Sequence, residues 1–233
     1  MFTAIAIAAI AAIAAMVCGS VHIPTSEVLS ILTGHTPDKD TWGHIILDLR
    51  LPAVITAVLA GMSLAVAGLL MQTIFANPLA GPSIMGVSSG ASLGVAVLVL
   101  LFGAGTGAVV SGAILGAMAV VILLVALAGI LRSGVMLLIV GILISYLSSS
   151  AIILLNYAAS EQSVHTYALW GMGTFSDTSW DQMAVPAAIT TIGMCAAVFM
   201  AKGLNAMLMG ENYAANLGVR VWALRAWALL TAG

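Results

Sequence analysis

The longest stretch of this chain without a charged side chain covers residues 51–131, where there is no Asp, Glu, Lys or Arg. A helix needs about 20 apolar residues to cross a bilayer, so this stretch alone is long enough for about three crossings. Only 6% of the 233 residues are charged and 62% are hydrophobic, whereas a soluble domain has about 25% charged residues. The composition therefore predicts a chain that is embedded in a membrane.

Apolar runs bounded by Gly, Pro and polar clusters divide the chain into predicted spans. Because unpaired backbone polar groups are costly in lipid, α-helices fit runs of this length. We expect an all-α, polytopic transmembrane helix bundle with six spans and the start of a seventh near Val221. The six spans cover residues 2–18, 51–76, 84–103, 108–131, 134–157 and 182–201.

The charged residues are distributed unevenly between the two sets of connections that six crossings create. One set, residues 19–50, 104–107 and 158–181, holds seven of the eight acids and all four histidines but only two cations. The other set comprises residues 77–83, 132–133 and 202–220. With the residue Arg225 just beyond it, this set has one acid, Glu211, and the cations Arg132, Lys202, Arg220 and Arg225. Cytoplasmic connections are enriched in Lys and Arg, so we place the second set in the cytoplasm.

Small residues recur at four-residue spacing inside several predicted spans. Such rows let helix backbones approach closely in lipid, where apolar side chains alone do not drive association. We therefore expect a compact bundle. The rows are Ala57, Gly61 and Ala65; Gly90 and Gly94; Gly112 and Gly116; and Gly141, Ser145 and Ser149.

Motifs for ATP binding and covalent catalysis are lacking or misplaced. Neither Lys39 nor Lys202 follows a glycine, as the lysine of a phosphate-binding P-loop does. Residues 86–90 match G-x-S-x-G, but they begin an apolar helix, and every histidine lies in the other set of connections, so we expect no catalytic residue. Cys18 and Cys195 are far apart in sequence, which gives little support to a disulfide or a metal site.

The distribution of charge also argues against a nucleic-acid-binding protein and an ion-coupled carrier. A net charge of -2 without a basic cluster argues against nucleic-acid binding. No Asp, Glu, Lys or His stands in the middle of a predicted span, whereas ion-coupled carriers usually have such a residue there. An ion-coupled secondary transporter, or another multi-span protein without an ATPase, is kept as the alternative to transport driven from outside the bilayer.

Three ordered segments are more specific than membrane sequence in general. The first joins Leu49-Arg50-Leu51-Pro52 to residues 71–82 (MQTIFANPLAGP) and 86–91 (GVSSGA). The second, residues 210–219, reads GENYAANLGV, and the third, residues 169–175, reads LWGMGTF. They resemble the LRLPR…QxxFxNPLAxPxxLGxSxGA, GExxAxxLGV and W-x-x-G-S-[FL] signatures of the iron-chelate and cobalamin (FecCD-type) permease family of bacterial ABC importers. Ala53 departs from that pattern, which usually has a second Arg there.

The resemblance runs over essentially the whole chain and implies a single transmembrane permease domain over residues 1–233. Members of the family have about ten helices, so it also implies that the chain is incomplete at its C-terminus. A permease of this kind is a multi-pass protein of the bacterial cytoplasmic (inner) membrane. It is not an enzyme and holds no cofactor, because ATP and Mg²⁺ are bound by a separate ATP-binding subunit.

The resemblance further implies import of iron–siderophore, heme or cobalamin-type metal chelates by alternating access. Two permease copies, surrounded by membrane lipid, would enclose a central path. An extracytoplasmic substrate-binding protein would deliver the ligand, and two ATP-binding subunits would drive the cycle. Nothing in the sequence identifies which chelate is carried.

Residues 203–218 correspond to the cytoplasmic coupling loop that the family seats in a cleft of the ATPase. We expect two short helices around Gly210, the second opened by Glu211 and ended by Gly218. An acid in a first turn and a glycine cap would equally suit a surface helix without a partner. As the only acid on the predicted cytoplasmic side, Glu211 would have its charge available for a basic surface. The candidate coupling residues are Leu208, Gly210, Glu211, Ala214, Leu217 and Gly218.

Two other groups of residues take roles from the resemblance. Arg50 would pair with an acid of the substrate-binding protein, although a long cation at the end of a span also reaches the lipid headgroups unaided. The connection from Glu161 to Trp180 would help to form the outer mouth. The signature turn and pathway helices would use Gln72, Asn77, Pro78, Leu79, Pro82, Gly86, Ser88 and Gly90.

Overall fold

The computed structural model describes residues 2–104, 106–131, 134–176 and 178–233, and all regular elements in these ranges are helical. Arg132 and Asp177, two of the charges used to predict sidedness, lie outside the described residues. The all-α prediction is confirmed. The α-helices are α1 (Phe2–Val17), α2 (Thr25–Leu32), α3 (Asp40–His44), α4 (Leu51–Phe75), α5 (Val87–Ala96), α6 (Thr106–Ile130), α7 (Gly134–Ala158), α8 (Glu161–Met172), α9 (Trp180–Leu208), α10 (Glu211–Asn216) and α11 (Val221–Ala232).

Every predicted span corresponds to an apolar helix. In the described part of the chain, four helices are long and apolar enough to cross a membrane, by length and composition. They are Asp40–Phe75, Ala108–Ile130, Gly134–Ala158 and Trp180–Leu208. Three shorter apolar helices, Phe2–Val17, Val87–Leu101 and Val221–Ala232, account for the other predicted spans.

The helix that contains α4 begins earlier than predicted. The predicted span begins at residue 51, but helical backbone runs from Asp40 through a π-helical segment, Ile45–Arg50, into α4. A proline lacks the N–H of the helical ladder and its ring clashes with a preceding carbonyl. The wider π-helical turn immediately before Pro52 accommodates the ring, so the helix continues through this position.

The chain divides into two compact units. Unit 1 comprises residues 1–62 and 174–191. Its core packs the end of α1 against α2 and the Ile45–Arg50 segment, and its buried residues are Met16, Ile23, Val28, Ile31 and Ile46. In the same unit, Trp180 Nε1 donates a hydrogen bond of 2.9 Å to the carbonyl of Leu47.

Unit 2 comprises residues 63–173 and 192–233. Its main core draws on the later part of α4, on α6 and α7, on the end of α9 and on α11. Representative buried residues are Leu70, Leu124, Leu137, Leu204 and Leu229. The C-terminal end of α9 and the helices after it are therefore tied to this core.

Glycines let α5 and α6 touch through their backbones. A Cβ built on Gly90 would lie 2.7 Å from the carbonyl oxygen of Gly116, and one on Gly112 would lie 3.0 Å from the carbonyl oxygen of Gly94. No side chain fits at these separations without a shift of backbone. The prediction that these two rows mediate close helix packing is confirmed.

The other two small-residue rows differ from each other. A Cβ on Gly141 of α7 would lie 2.8 Å from Cα of Met85, so this position also needs a glycine. Apart from the nearby backbone of its own helix, Gly61 has no heavy atom of the described chain within 4 Å of its Cβ position. The row from Ala57 to Ala65 therefore makes no comparable contact at its central residue.

The connection after α7 contains the helix α8. Ser160 caps this helix, since its Oγ accepts a hydrogen bond of 3.2 Å from the amide of Ser163. Tyr167 and Trp170 pack against the valine cluster of α5, α6 and the π-helical segment between them. Burial raises the pKa of the Tyr167 phenol above its usual value, so the ring stays neutral at physiological pH.

Candidate functional site

Residues 203–218 form the end of α9, a glycine break and α10. The first of the two expected short helices is in fact the last part of the 29-residue α9. Gly210 has a φ of +107°, a left-handed conformation that glycine adopts without steric cost. Its amide donates to the carbonyl of Met207 at 2.9 Å, and its own carbonyl accepts from the amide of Ala214 at 3.0 Å. Gly210 therefore ends one helix and begins the next.

Gly218 ends α10, as predicted. Its φ is +83°, and its amide donates to the carbonyl of Ala215 at 2.9 Å. The following amide, that of Val219, donates to the carbonyl of Ala214 at 3.0 Å. This pair of bonds is the Schellman motif, which satisfies carbonyls at a helix end.

The 203–218 segment has one buried and one exposed apolar face. Leu204, Met207 and Ala214 are at most 9% exposed and belong to the core of unit 2. Four other apolar side chains, which we call the apolar tip, are between 49% and 70% exposed. The apolar tip consists of Leu208, Met209, Tyr213 and Leu217. These four side chains are close together in the sequence, and exposed apolar side chains grouped in this way suit an interaction surface.

The carboxylate of Glu211 is paired within the chain. Its Oε1 accepts a charged hydrogen bond from Nη2 of Arg225, which lies in α11. The Arg225 side chain is 8% exposed, whereas that of Glu211 is 51% exposed. Glu211 therefore has a partner within the chain, and its contact with a basic surface of the ATPase stays a prediction.

Arg225 was not among the predicted site residues, although the sequence contains a signal for it. The helix VWALRAWALLTA is apolar except for this arginine and one threonine. A cation inside such a helix needs a partner, because an unpaired charge is costly away from water. A search for the nearest acid, 14 residues earlier, would have identified Glu211.

The signature turn, residues 76–86, connects α4 to α5. Asn77 Oδ1 accepts a hydrogen bond of 2.9 Å from the amide of Leu79, and the Asn77 carbonyl accepts one of 3.1 Å from Ala80. This is an Asx-type turn, for which asparagine is well suited. Gly86 has a φ of +77°, and a Cβ there would lie 2.8 Å from the carbonyl oxygen of Gly141.

The predicted signature residues fall into three classes of exposure. Gly86 and Gly90 are buried, and Asn77 and Pro82 are half-buried. Those with exposed side chains are Gln72, Pro78, Leu79 and Ser88. The buried members account for the shape of the turn, and the role of the exposed members in a transport path stays a prediction.

Arg50 caps the C-terminal end of α1. Its Nη1 donates to the carbonyls of Met16 at 2.7 Å and Val17 at 3.1 Å, and its Nη2 donates to that of Val21 at 2.6 Å. A Cβ on Gly19 would lie 2.5 Å from Nη2, so the absence of a side chain there leaves space for the guanidinium. Arg50 also borders a cleft of about 410 Å³ in unit 1. Docking of a binding protein at Arg50 stays a prediction.

The described residues contain no group of three or more His, Cys, Asp or Glu side chains placed to hold a metal ion. The chain thus has long apolar helices and a close contact between the backbones of α5 and α6. Its 203–218 segment, at the end of α9, carries both an ion pair and exposed apolar side chains. These features define a polytopic α-helical membrane protein.

Residues 7–233 match the profile of the FecCD transport family, and the chain belongs to that family. It is accordingly a multi-pass protein of the cytoplasmic membrane. The resemblance inferred from the three sequence segments is confirmed.

Individual relatives agree with this assignment. The chain is 32% identical to the hemin transport system permease protein HmuU of Yersinia pestis, over 80% of this chain and 58% of that protein. It is 30% identical to the ferric enterobactin transport system permease protein FepG of Escherichia coli, over 92% of this chain and 64% of that protein. The chain therefore spans less than two thirds of the length of these two relatives.

A solved structure shares the fold. It is described as an inward-facing conformation of an ABC transporter of the metal-chelate type. The two superimpose with a TM-score of 0.84 at 24% identity, over 99% of this chain and 71% of the other.

Proposed function

We propose that the chain forms part of the membrane-spanning permease subunit of an ATP-driven importer of metal chelates, such as iron–siderophore, heme or cobalamin complexes. The observation that carries this proposal is the apolar tip at the end of a predicted spanning helix, in a chain of the FecCD family. Two relatives are permeases for hemin and for ferric enterobactin. The permease itself catalyses no reaction, since ATP and Mg²⁺ are bound by a separate subunit.

The 203–218 segment contacts that ATP-binding subunit. Leu208, Met209, Tyr213 and Leu217 supply an apolar contact surface, and the opposite face of the segment packs into the core of unit 2. A displacement of the apolar tip is therefore transmitted to α9 and α11. Two permease copies alternate between outward-open and inward-open arrangements of the path they enclose.

The outer side receives the ligand from a substrate-binding protein. Arg50 borders the 410 Å³ cleft and is half-buried, so part of its guanidinium is accessible for an acidic residue of that protein. The signature turn and α5 contribute to the path itself. Their glycines keep the helices close, and the exposed residues Gln72 and Ser88 supply polar groups.

An aspartate in the apolar tip tests the proposed function. In the whole permease, Tyr213→Asp and Leu217→Asp should each weaken co-purification with the ATP-binding subunit, because a charge replaces an apolar side chain that the subunit would cover. Loss of stimulated ATP hydrolysis in nanodiscs should accompany the weaker association. Met172→Asp is the matched control, since Met172 is 80% exposed at the end of α8, on the predicted opposite side of the membrane.

Normal association of both tip variants would show that the apolar tip is not the contact surface. Uptake by a permease that has no ATP-binding subunit, driven by an ion gradient, would instead support an ion-coupled carrier. Either result would contradict the proposed function.

A further inference from the structure

Arg225 is the most deeply buried cation among the described residues. Arg225 as a whole is 6% exposed, and its Nη2 donates a hydrogen bond to Oε1 of Glu211. Arginine is almost never fully buried unless it is paired. The pair connects α11 to the first residue of α10, over 14 positions of the sequence. A charged contact thus joins the 203–218 segment to the next apolar helix.

The guanidinium also lies where two other helices meet. A Cβ built on Gly134, the first residue of α7, would lie 3.6 Å from Arg225 Nη2 and 3.2 Å from the ring of Phe75, the last residue of α4. The absence of a side chain at Gly134 leaves room for both groups. Arg225 is therefore next to the beginning of α7 and close to the end of α4.

The electrostatics of this position require an anion. The first turn of a helix carries a partial positive charge, so the beginning of α7 disfavours a lone cation beside it. Removing one partner of a buried ion pair leaves an uncompensated charge in a poorly hydrated place. Glu211 compensates both the guanidinium and the helix dipole, which ties the orientation of α10 to the packing of α7 and α11.

We propose that Arg225 is a positioning residue, which holds the ATPase-contacting segment in a fixed orientation on α7 and α11 through its ion pair with Glu211. This inference rests on the proposed function, because it concerns how movement of the ATP-binding subunit reaches the membrane helices. In this arrangement the main electrostatic partner of Glu211 is Arg225, and the apolar tip makes the contact with the ATPase. The pair transmits movement between them.

Conservative variants show whether the ion pair positions the 203–218 segment or only stabilises the fold. Glu211→Asp and Arg225→Lys keep both charges but change the reach and the geometry of the contact. In proteoliposomes with the whole permease and its ATP-binding subunit, we expect ligand transported per ATP hydrolysed to fall about 2- to 30-fold, the range for residues that carry coupling. The Kd for the ATP-binding subunit and the unfolding temperature of the permease should stay close to those of the wild type.

Charge exchange identifies the partner of Glu211. Glu211→Arg and Arg225→Glu should each lower the unfolding temperature of the permease measured without the ATPase. The double variant should recover most of that loss and part of the coupling ratio, because it restores an ion pair. Lys202→Gln is the matched control for a cation near the same segment, and it should leave the coupling ratio unchanged, since Lys202 is exposed.

Two results would overturn the role of Arg225. One is a wild-type coupling ratio in both Glu211→Asp and Arg225→Lys. The other is a double charge-exchange variant whose affinity for the ATP-binding subunit is as low as that of Glu211→Arg alone, since this would mean that Glu211 faces the ATPase directly. If one of the charge-exchange variants fails to fold, the coupling ratios of Glu211→Asp and Arg225→Lys still test the role of Arg225. A wild-type permease that neither binds nor stimulates an ATP-binding subunit would overturn the proposed function itself, which is a different outcome.

Discussion

Arg50 and Arg225 are both long cations at the boundary of apolar helices, but their charges are compensated differently. Arg50, in unit 1, donates to two backbone carbonyls at the end of α1 and to that of Val21 beyond it, and it remains half-buried. Arg225, in unit 2, is buried and pairs with the carboxylate of Glu211. A helix end supplies only partial negative charge, which suffices where water can still reach the guanidinium. Deeper burial requires a full counter-charge.

The difference predicts where charge changes will be most harmful. Stability near Arg225 should fall most when the neighbouring anion is lost. Stability near Arg50 should fall mainly when its hydrogen bonds to carbonyls are lost. Arg225 can therefore act as a connection between elements, while Arg50 chiefly stabilises the end of one helix.

Glu211→Lys should have the largest effect. It places a second cation beside the buried Arg225, so it removes the pair and adds repulsion. Loss of one partner of a buried pair costs about 3–5 kcal/mol, and the half-exposure of Glu211 places the value toward the lower end. Transport and ATPase stimulation should be lost, together with a drop in the unfolding temperature.

Asp181→Lys is the control. Asp181 is an exposed acid on the predicted outside, and its substitution should leave ATPase association intact. Unaltered ATPase association and stability of Glu211→Lys would contradict the buried-pair interpretation.

A pair of neutral substitutions tests the asymmetry of the ion pair. Glu211→Gln removes the carboxylate that pairs with the buried Arg225, whereas Arg225→Met leaves a half-exposed carboxylate that water can solvate. We expect Glu211→Gln to cost about 3 kcal/mol and Arg225→Met about 1 kcal/mol. Denaturant unfolding of the purified permease would measure both. Equal costs would show that the two partners are equally solvated.

Substitutions of Arg50 should have a smaller effect on stability and a separate effect on docking. Arg50→Gln loses carbonyl contacts at the end of α1 and should cost about 1 kcal/mol. Arg50→Glu should also weaken docking of the substrate-binding protein about fivefold and make the residual affinity less dependent on salt. The measurement is a binding titration at low and high ionic strength, with the exposed Lys39→Glu as control. Unchanged affinity and salt dependence would leave Arg50 with its capping role alone.

The smallest effects are expected at the glycines that make room for the two guanidinium groups. A Cβ at Gly19 would lie 2.5 Å from Arg50 Nη2, so Gly19→Ala must displace a flexible side chain at a cost of about 1 kcal/mol. Gly134→Ala brings its Cβ only to 3.2 Å from the Phe75 ring. The helix propensity of alanine offsets part of that contact, so the net change should be about 0.5 kcal/mol or less. Thermal unfolding of the two variants compares them directly, and a larger loss for Gly134→Ala would contradict this order.

Several features of this chain follow from its sequence alone. Long uncharged runs specify helices in lipid because a helix pairs the backbone polar groups within its own segment, and each predicted span is an apolar helix in the structure. The glycine rows Gly90/Gly94 and Gly112/Gly116 specified a close contact through their spacing, and Gly210 and Gly218 specified helix ends through their conformational freedom. Three signature segments were enough to identify the family. All of these are local or periodic properties.

Only the tertiary structure decided which groups meet. The pairing of Glu211 with Arg225, the carbonyls that surround Arg50 and, within the described residues, the open space at Gly61 depend on how distant segments are brought together. Spacing along the chain does not encode these contacts, because a long side chain has several acceptors within reach until packing removes most of them. The helical run from Asp40 into α4 likewise contains a π-helical turn ahead of Pro52, which a sequence period does not reveal. Burial then determines which charges need a full partner and which are satisfied by a helix end.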